Sequence, residues 1–215
     1  MYTAMKITAR GPEQEEAMKA LLNSKIDLVA LVGPAGTGKT LLAVSCALEQ
    51  IHNEQRYKKL LVARPLMPLG REIGHLPGTK DEKLAPWMAP IFDNIKIACN
   101  HDDDQVKWYT EDPLKFEMEA VTFMRGRSFE KTFMLIDEAQ NLNYLELKTI
   151  ITRAGYGTKV VLLGDLDQSD TYNGKDVPLP YSVIMDRLSK ESNVATVNLH
   201  TVERSRLAKV AVKKL

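Results

Sequence analysis

Eight consecutive residues near the start of the chain have the types and spacing that bind a phosphate group. Residues 33–40 fit the pattern G-x-x-x-x-G-K-[ST]. Its glycines let the backbone curl so that successive N–H groups face one anion. Lys39 is expected to reach the terminal phosphates of a nucleotide, and the Thr40 hydroxyl to hold Mg²⁺. The predicted phosphate-binding residues are Gly33, Pro34, Ala35, Gly36, Thr37, Gly38, Lys39 and Thr40.

Two adjacent carboxylates lie about 100 residues further along the chain. The apolar run 133–136 is typical of a buried strand, and Asp137 and Glu138 follow it directly. Open α/β sheets bind ligands at the carboxyl ends of their strands. We therefore expect Asp137 to hold the water shell of Mg²⁺ and Glu138 to polarise the water that attacks the γ-phosphate.

Two glutamines are further candidates for the nucleotide site. Gln168 follows the apolar run 160–163, and its amide can donate to the γ-phosphate and accept from the attacking water. It is therefore a candidate γ-phosphate sensor, and a purely solubilising role in a polar turn stays open. Gln14 precedes the phosphate-loop strand on a predicted helix, where a side-chain amide could read the edge of an adenine.

Phosphoryl transfer usually needs one more cation, supplied in cis or by a partner. Arg153 ends the predicted helix that follows the two carboxylates, and Arg204 and Arg206 follow the last predicted strand. Each is a candidate for this role. The alternative, an ordinary surface or helix-ending arginine, stays open for all three.

The elements that must position these residues are apolar strands alternating with amphipathic helices. Strands are predicted at 28–32, 60–63, 116–123, 132–137, 159–164 and 193–199. Helices are predicted at 13–22, 41–51, 93–106 and 143–153. Proline and glycine recur from about 65 to about 90, which predicts a surface excursion at about 65–110 within one domain of residues 1–215. This order predicts an α/β fold, a mainly parallel sheet with helices on both faces.

Composition limits the class of protein. The chain has 215 residues, of which 44% are hydrophobic and 27% charged, so it suits one α/β domain. A formal net charge of +1 neither favours nor excludes a nucleic-acid partner, because a local basic patch would suffice. Two cysteines, Cys46 and Cys99, favour a reducing compartment. Neither a signal peptide nor an apolar run of membrane length is apparent, which predicts a cytoplasmic protein without a membrane partner.

Several further blocks of sequence resemble one known family. Besides the phosphate loop, they are 64–70, 74–78, 82–86, 124–127, 137–141, 152–157 and 164–170. In this combination the chain resembles the PhoH family, P-loop ATPases related to superfamily 1 helicases. The resemblance implies a RecA-like P-loop NTPase core that binds ATP and Mg²⁺. It also implies γ-phosphate sensing by Gln168 and adenine binding by Gln14.

The resemblance leaves the arginine finger undecided. Arg204 falls where the family has a Val-Arg-His element, but residues 202–206 here read Val-Glu-Arg-Ser-Arg and lack the histidine. Superfamily 1 helicases close ATP between two cores, whereas this chain has room for one. We therefore expect the missing arginine to come in cis or from a neighbouring subunit. Head-to-tail contacts that close give a homo-oligomeric ring, with a hexamer as the expected form.

The leading hypothesis for function is an ATPase that acts as a translocase or helicase on single-stranded RNA or DNA. A basic path for phosphates is expected from Arg64, Arg71, Lys80, Arg125 and Arg127, and the alternative that the proline-rich block packs as a subunit interface stays open. Two alternatives stay open: an ATP-driven switch or assembly factor that holds protein partners, and a small-molecule phosphotransferase.

Overall fold

A parallel sheet forms the centre of the molecule in the computed structural model, which describes residues 3–65, 80–166 and 180–203, without the side chains of residues 3 and 80–88. A short antiparallel pair precedes the sheet: β1 (Thr3–Ala4) and β2 (Ile7–Thr8). The sheet itself consists of β3 (Leu28–Val32), β4 (Lys59–Arg64), β5 (Phe116–Ala120), β6 (Thr132–Ile136), β7 (Lys159–Gly164) and β8 (Val194–Asn198). Within the described residues these six strands are ordered β5-β4-β6-β7-β3-β8, and every pairing is parallel.

Helices cover both faces of this sheet. They are α1 (Pro12–Leu22), α2 (Lys39–His52), α3 (Lys80–Ala98), α4 (Asp103–Thr110), α5 (Tyr144–Thr152) and α6 (Pro180–Leu188). Two 3₁₀ helices, Val121–Met124 and Ala139–Asn141, follow β5 and β6. The predicted α/β class, with a mainly parallel sheet between helical layers, is confirmed. No helix in the described part of the chain has the length and hydropathy of a membrane span.

Alternation along the central strands builds two hydrophobic cores. Val29 and Leu31 of β3 point into the core beneath α1 and α2. Leu28, Ala30 and Val32 point into the other core, which α5 and α6 cover. Both faces of β3 are therefore buried, which explains why its sequence is apolar at every position rather than at every second one.

The region after β4 differs from the prediction. A surface excursion at about 65–110 with one helix over 93–106 was expected, whereas α3 already begins at Lys80 and a separate α4 begins at Asp103. Asn100 and His101 have positive φ values of 53° and 59°, which ends the first helix. Asp102 then accepts a 3.0 Å hydrogen bond from the Gln105 amide and caps the second.

Two smaller differences concern element ends and an extra helix. The strand predicted over 116–123 ends at Ala120, because the chain turns into a 3₁₀ helix at Val121. The helix α6 was not predicted. It contributes Tyr181, Ile184 and Met185 to the second core.

A buried lysine joins the end of α1 to the start of β7. Lys159 Nζ donates to the carbonyl oxygens of Ala20, Leu21 and Asn23 at 3.2, 2.8 and 2.9 Å. These carbonyls are at the carboxyl end of α1, where the helix dipole favours a cation. Burial lowers the pKa of Lys159 to about 8 despite these contacts.

Gly33, the first residue of the phosphate loop, lies against the end of β8. The Leu199 amide donates to the Val32 carbonyl at 2.7 Å, which continues the β3–β8 pairing past the strand. A Cβ atom at Gly33 would lie 1.9 Å from the Leu199 carbonyl oxygen, and its φ of +154° is itself unfavourable for other residues. Only glycine therefore permits the loop to leave the sheet along this path.

Replacing Gly33 by Ala should lower the free energy of unfolding by about 1–3 kcal/mol, because the backbone at Leu199 has to move. It should also weaken the binding of a fluorescent ATP analogue, since the loop moves with it. Urea denaturation and analogue titration measure the two effects. Gly11→Ala is the control, because a Cβ there meets no atom within 4 Å. If Gly33→Ala and Gly11→Ala had the same free energy of unfolding, the close approach of Gly33 to the Leu199 backbone would be contradicted.

Candidate nucleotide site

One cavity of about 550 Å³ opens at the carboxyl edge of the sheet. The phosphate loop, the end of β4, the two carboxylates after β6 and the residues after β7 all contribute to its wall. Its lining includes Gly36, Lys39, Thr40, Arg64, Asp137, Glu138 and Asp165. The structure therefore brings the phosphate loop and both predicted carboxylates into one pocket.

The phosphate loop curls as its glycines suggested. Gly36 and Gly38 have φ values of +90° and +92°, a conformation that side chains with a Cβ rarely adopt. Lys39 begins α2, and its ammonium donates back to the carbonyls of Gly33 and Pro34, the latter at 2.9 Å. The loop thus holds a cation beside the positive end of a helix, an arrangement suited to an anion with several charges.

Gln14 supports the phosphate loop from α1. Its amide nitrogen donates to the Thr37 carbonyl at 3.0 Å, and its amide oxygen accepts from the Arg10 amide at 2.9 Å. The side chain is buried. This contact with the loop was not foreseen from sequence. The expected contact with adenine stays a prediction, for which the amide retains one N–H and one lone pair.

Asp137 and Glu138 lie beside Arg64, the last residue of β4. Arg64 Nη2 is 3.1 Å from Glu138 Oε1, and Arg64 Nη1 is 4.0 Å from Asp137 Oδ2. Burial raises the pKa of Asp137, and the Arg64 charge opposes that shift. Glu138 has a φ of +53°, so the chain turns sharply where the carboxylates enter the cavity.

Gln140 is a member of the site that the sequence interpretation did not assign. Its amide nitrogen donates to Glu138 Oε2 at 2.6 Å, and its amide oxygen accepts from the Asp165 amide at 3.2 Å. The side chain is fully buried. It therefore links the catalytic candidate after β6 to the loop after β7. Its place in the Asp-Glu-Ala-Gln-Asn block was the available signal.

The segment after β8 is tied to the loop and to α1. Glu13 accepts from the His200 and Thr201 amides at 2.9 and 3.0 Å, and the Glu203 amide donates to the Gly36 carbonyl at 2.8 Å. The residue that precedes Arg204 in sequence is thus bonded to the phosphate loop. Arg204 itself lies outside the described residues, as do Arg206, Gln168 and Arg71.

Arg153 is not brought to the cavity of its own chain. It follows α5, and its carbonyl accepts from the Phe129 amide at 3.0 Å, just before β6 begins. This is the amino edge of the sheet, opposite the phosphate loop. In the described part of the chain its Nε is buried and makes no hydrogen bond. A catalytic role for Arg153 would therefore require a second subunit.

The candidate nucleic-acid residues fall into different environments. Arg64 faces the carboxylates, and Arg125 is exposed near the end of β5. Arg127 instead bonds Glu117 at 2.6 Å and Glu119 at 2.7 Å. Its charge is thus already balanced. Lys80 is the first residue of α3, and its side chain lies outside the described residues.

A phosphate loop at the start of α2, with two carboxylates after β6, a parallel strand separated from β3 by β7, defines a P-loop NTPase of RecA-like fold. The family model described as "PhoH-like protein" matches residues 6–215. Protein PhoH2 of Bacillus subtilis is 42% identical over 210 residues, covering 97% of this chain and 48% of the relative. Protein PhoH2 of Mycolicibacterium smegmatis is 33% identical over 212 residues, covering 97% and 47%. The chain belongs to the PhoH-like family, as its sequence blocks indicated.

The chain spans about half the length of the curated relatives it matches. Among solved structures, the SWI2/SNF2 ATPase core of Sulfolobus solfataricus, in complex with dsDNA, aligns with a TM-score of 0.51 at 14% identity, covering 92% of this chain and 46% of that one. That likeness supports the fold alone.

Replacing Asp137 by Asn should stabilise the nucleotide-free protein at neutral pH. Burial raises the pKa of Asp137 in the folded state above its ordinary value of 3.8, so the folded protein loses stability as pH rises through that range. The melting temperature of Asp137→Asn should exceed that of wild type at pH 7, and the difference should shrink toward pH 4.

Asp112 is a control of opposite sign. Hydrogen bonds from the Leu114 amide and Lys115 lower its pKa below 3.8, so its contribution to stability is present above that pH and is lost on acidification. Asp112→Asn should therefore melt below wild type at neutral pH. If Asp137→Asn melted below wild type at pH 7, burial would not be the dominant influence on the pKa of Asp137.

Proposed function

We propose that this protein hydrolyses ATP to ADP and phosphate. The observation that carries the proposal is the meeting of Lys39, Asp137 and Glu138 in one cavity beside the phosphate loop. Lys39 stabilises the charge that builds on the transferred phosphoryl group, and the Glu138 carboxylate accepts a proton or hydrogen bond from the attacking water. The buried amide of Gln140 fixes the direction of that carboxylate.

The residues of the cavity fit a magnesium ion. Thr40 would supply a hydroxyl and Asp137 a carboxylate, and hard oxygen donors of this kind are the ligands that Mg²⁺ takes. An ion held there would offset part of the negative charge of the nucleotide phosphates. Asp137 would then act through the ion, and Glu138 directly on water.

The proposed partner of the ATPase is single-stranded RNA or DNA. Arg64 is paired in register with Ala120, so the ends of β4 and β5 lie side by side at the carboxyl edge. Phe123, whose residue is 59% exposed, and the exposed Arg125 follow Ala120 within five residues. An aromatic ring that can stack on a base and cations that can hold phosphates are the two parts of a single-strand site.

A homo-oligomeric ring, with six subunits as the expected number, completes the proposal. Arg153 lies at the edge opposite its own cavity, so within a head-to-tail assembly it would be presented to a neighbour. Arg204 remains the candidate for an arginine supplied in cis, because Glu203 is bonded to the phosphate loop.

The decisive experiment is the ATPase rate with and without single-stranded oligonucleotides. Wild type should hydrolyse ATP and be stimulated severalfold by one kind of strand. Lys39→Ala and Glu138→Gln should each lower kcat by a factor of about 10² or more, because each removes a group that acts in the transition state. Hydrolysis that neither strand changes would favour the alternative, an ATP-driven switch with protein partners.

Arg125 and Arg127 form a matched pair for testing the strand path. Arg125→Ala should weaken oligonucleotide binding and reduce the salt dependence of that binding by the equivalent of about one phosphate contact. The free energy of unfolding should stay within about 0.5 kcal/mol of wild type. Arg127→Ala should instead cost about 1–2 kcal/mol of stability, because the Glu119 side chain, 2% exposed, loses its guanidinium. Fluorescence anisotropy and urea denaturation measure both variants. If Arg127→Ala weakened oligonucleotide binding and Arg125→Ala lowered stability, the strand would instead be expected to contact Arg127.

A further inference from the structure

Both oxygens of the Glu138 carboxylate are already bonded to other side chains. Arg64 Nη2 lies 3.1 Å from Oε1, and the Gln140 amide donates to Oε2 at 2.6 Å. A carboxylate that orients a water molecule needs a lone pair directed at that water. In this arrangement the Arg64 guanidinium occupies one acceptor direction of Oε1 and competes with water for that oxygen.

Of the two partners, Arg64 is the one that can leave. Gln140 is fully buried and is fixed from the other side by the Asp165 amide. The Arg64 side chain is 26% exposed and extends from the last residue of a strand. Losing Gln140 would break a buried link, whereas the Arg64 charge is already in part hydrated, and moving it away would also take it from Asp137 Oδ2 at 4.0 Å.

The surroundings of Arg64 point to an anion as the agent that moves it. It stands at the carboxyl edge next to the chain that leads to Phe123 and Arg125. A phosphate of a strand lying along that edge would offer the guanidinium a bidentate partner in place of Glu138. In this exchange Arg64 keeps an oxyanion partner, while the Glu138 carboxylate loses the guanidinium and keeps only the Gln140 amide.

We infer that Arg64 is a positioning residue that restrains Glu138, and that a phosphate of single-stranded nucleic acid draws Arg64 away and frees Glu138 to act on water. This inference rests on the proposed function, since it names how a strand would regulate the ATPase site. The restraint links strand binding to hydrolysis through a single side chain.

The test compares Arg64→Ala, Arg64→Lys and wild type in steady-state ATPase assays with and without a saturating single-stranded oligonucleotide. Arg64→Ala should raise basal kcat about fivefold at unchanged KM for ATP, which corresponds to about 1 kcal/mol for a partly exposed ion pair. Stimulation by the strand should fall in proportion. Arg64→Lys keeps a cation beside Glu138 and should restore the low basal rate. Arg187→Ala, which removes an arginine that bonds Tyr144 on the far side of α5, is the matched control.

Further comparisons separate this inference from other roles of Arg64. In the Glu138→Gln background, Arg64→Ala should give no gain, because the restrained group is absent. Oligonucleotide anisotropy shows whether the strand still binds. A basal rate that falls in Arg64→Ala would overturn the restraint and assign Arg64 to phosphate binding. An unchanged basal rate with full stimulation would overturn it as well.

A wild type that no strand stimulates would refute the nucleic-acid part of the proposed function. The basal rate of Arg64→Ala still decides the restraint in that case: a rise would uphold it and overturn only its release by a strand. Failure of the inference and failure of the proposed function therefore give different results.

Discussion

The parallel alignment of β3, β6 and β7 is the constraint on which the site depends. Because these neighbouring strands run in one direction, the segments that leave their carboxyl ends meet at one edge. The phosphate loop leaves β3, the two carboxylates leave β6, and the loop at Asp165 leaves β7. Each is anchored by backbone pairing that is buried on both faces, so the groups are held by the rigid part of the molecule.

Polar groups buried around this edge are satisfied mainly by one another and by backbone. Gln14 bonds the phosphate loop, and Gln140 bonds both Glu138 and the backbone after β7. Such contacts specify geometry more than they add stability, because each replaces a bond to water. Asp137 differs from these groups, because burial is the largest influence on its pKa and raises it. Keeping the Asp137 carboxylate ionised in this buried position costs free energy, which a bound cation would offset.

Sequence patterns predicted the parts of the structure that local chemistry determines. The phosphate loop, the apolar strands and the carboxylates after β6 follow from short-range pattern and strand direction, and the structure brings these groups together. Gln140 and Lys159 were missed because their roles come from partners distant in sequence, which spacing does not reveal. The break between α3 and α4 was missed because it depends on two residues with positive φ, Asn100 and His101. Gln168 and Arg204, outside the described residues, remain predictions from the family pattern.

β5, one of the two outer strands of the described sheet, affects how copies of this chain can associate. On β5, Glu117 and Glu119 point to one face and are held there by Arg127, while Lys59 on β4 also pairs with Glu117. Natural sheets use charges in this position to discourage a second edge from adding on, since pairing would crowd or desolvate them. Growth of the sheet from one molecule into the next is therefore opposed at β5. Copies of this chain are thus expected to associate through surfaces other than this edge.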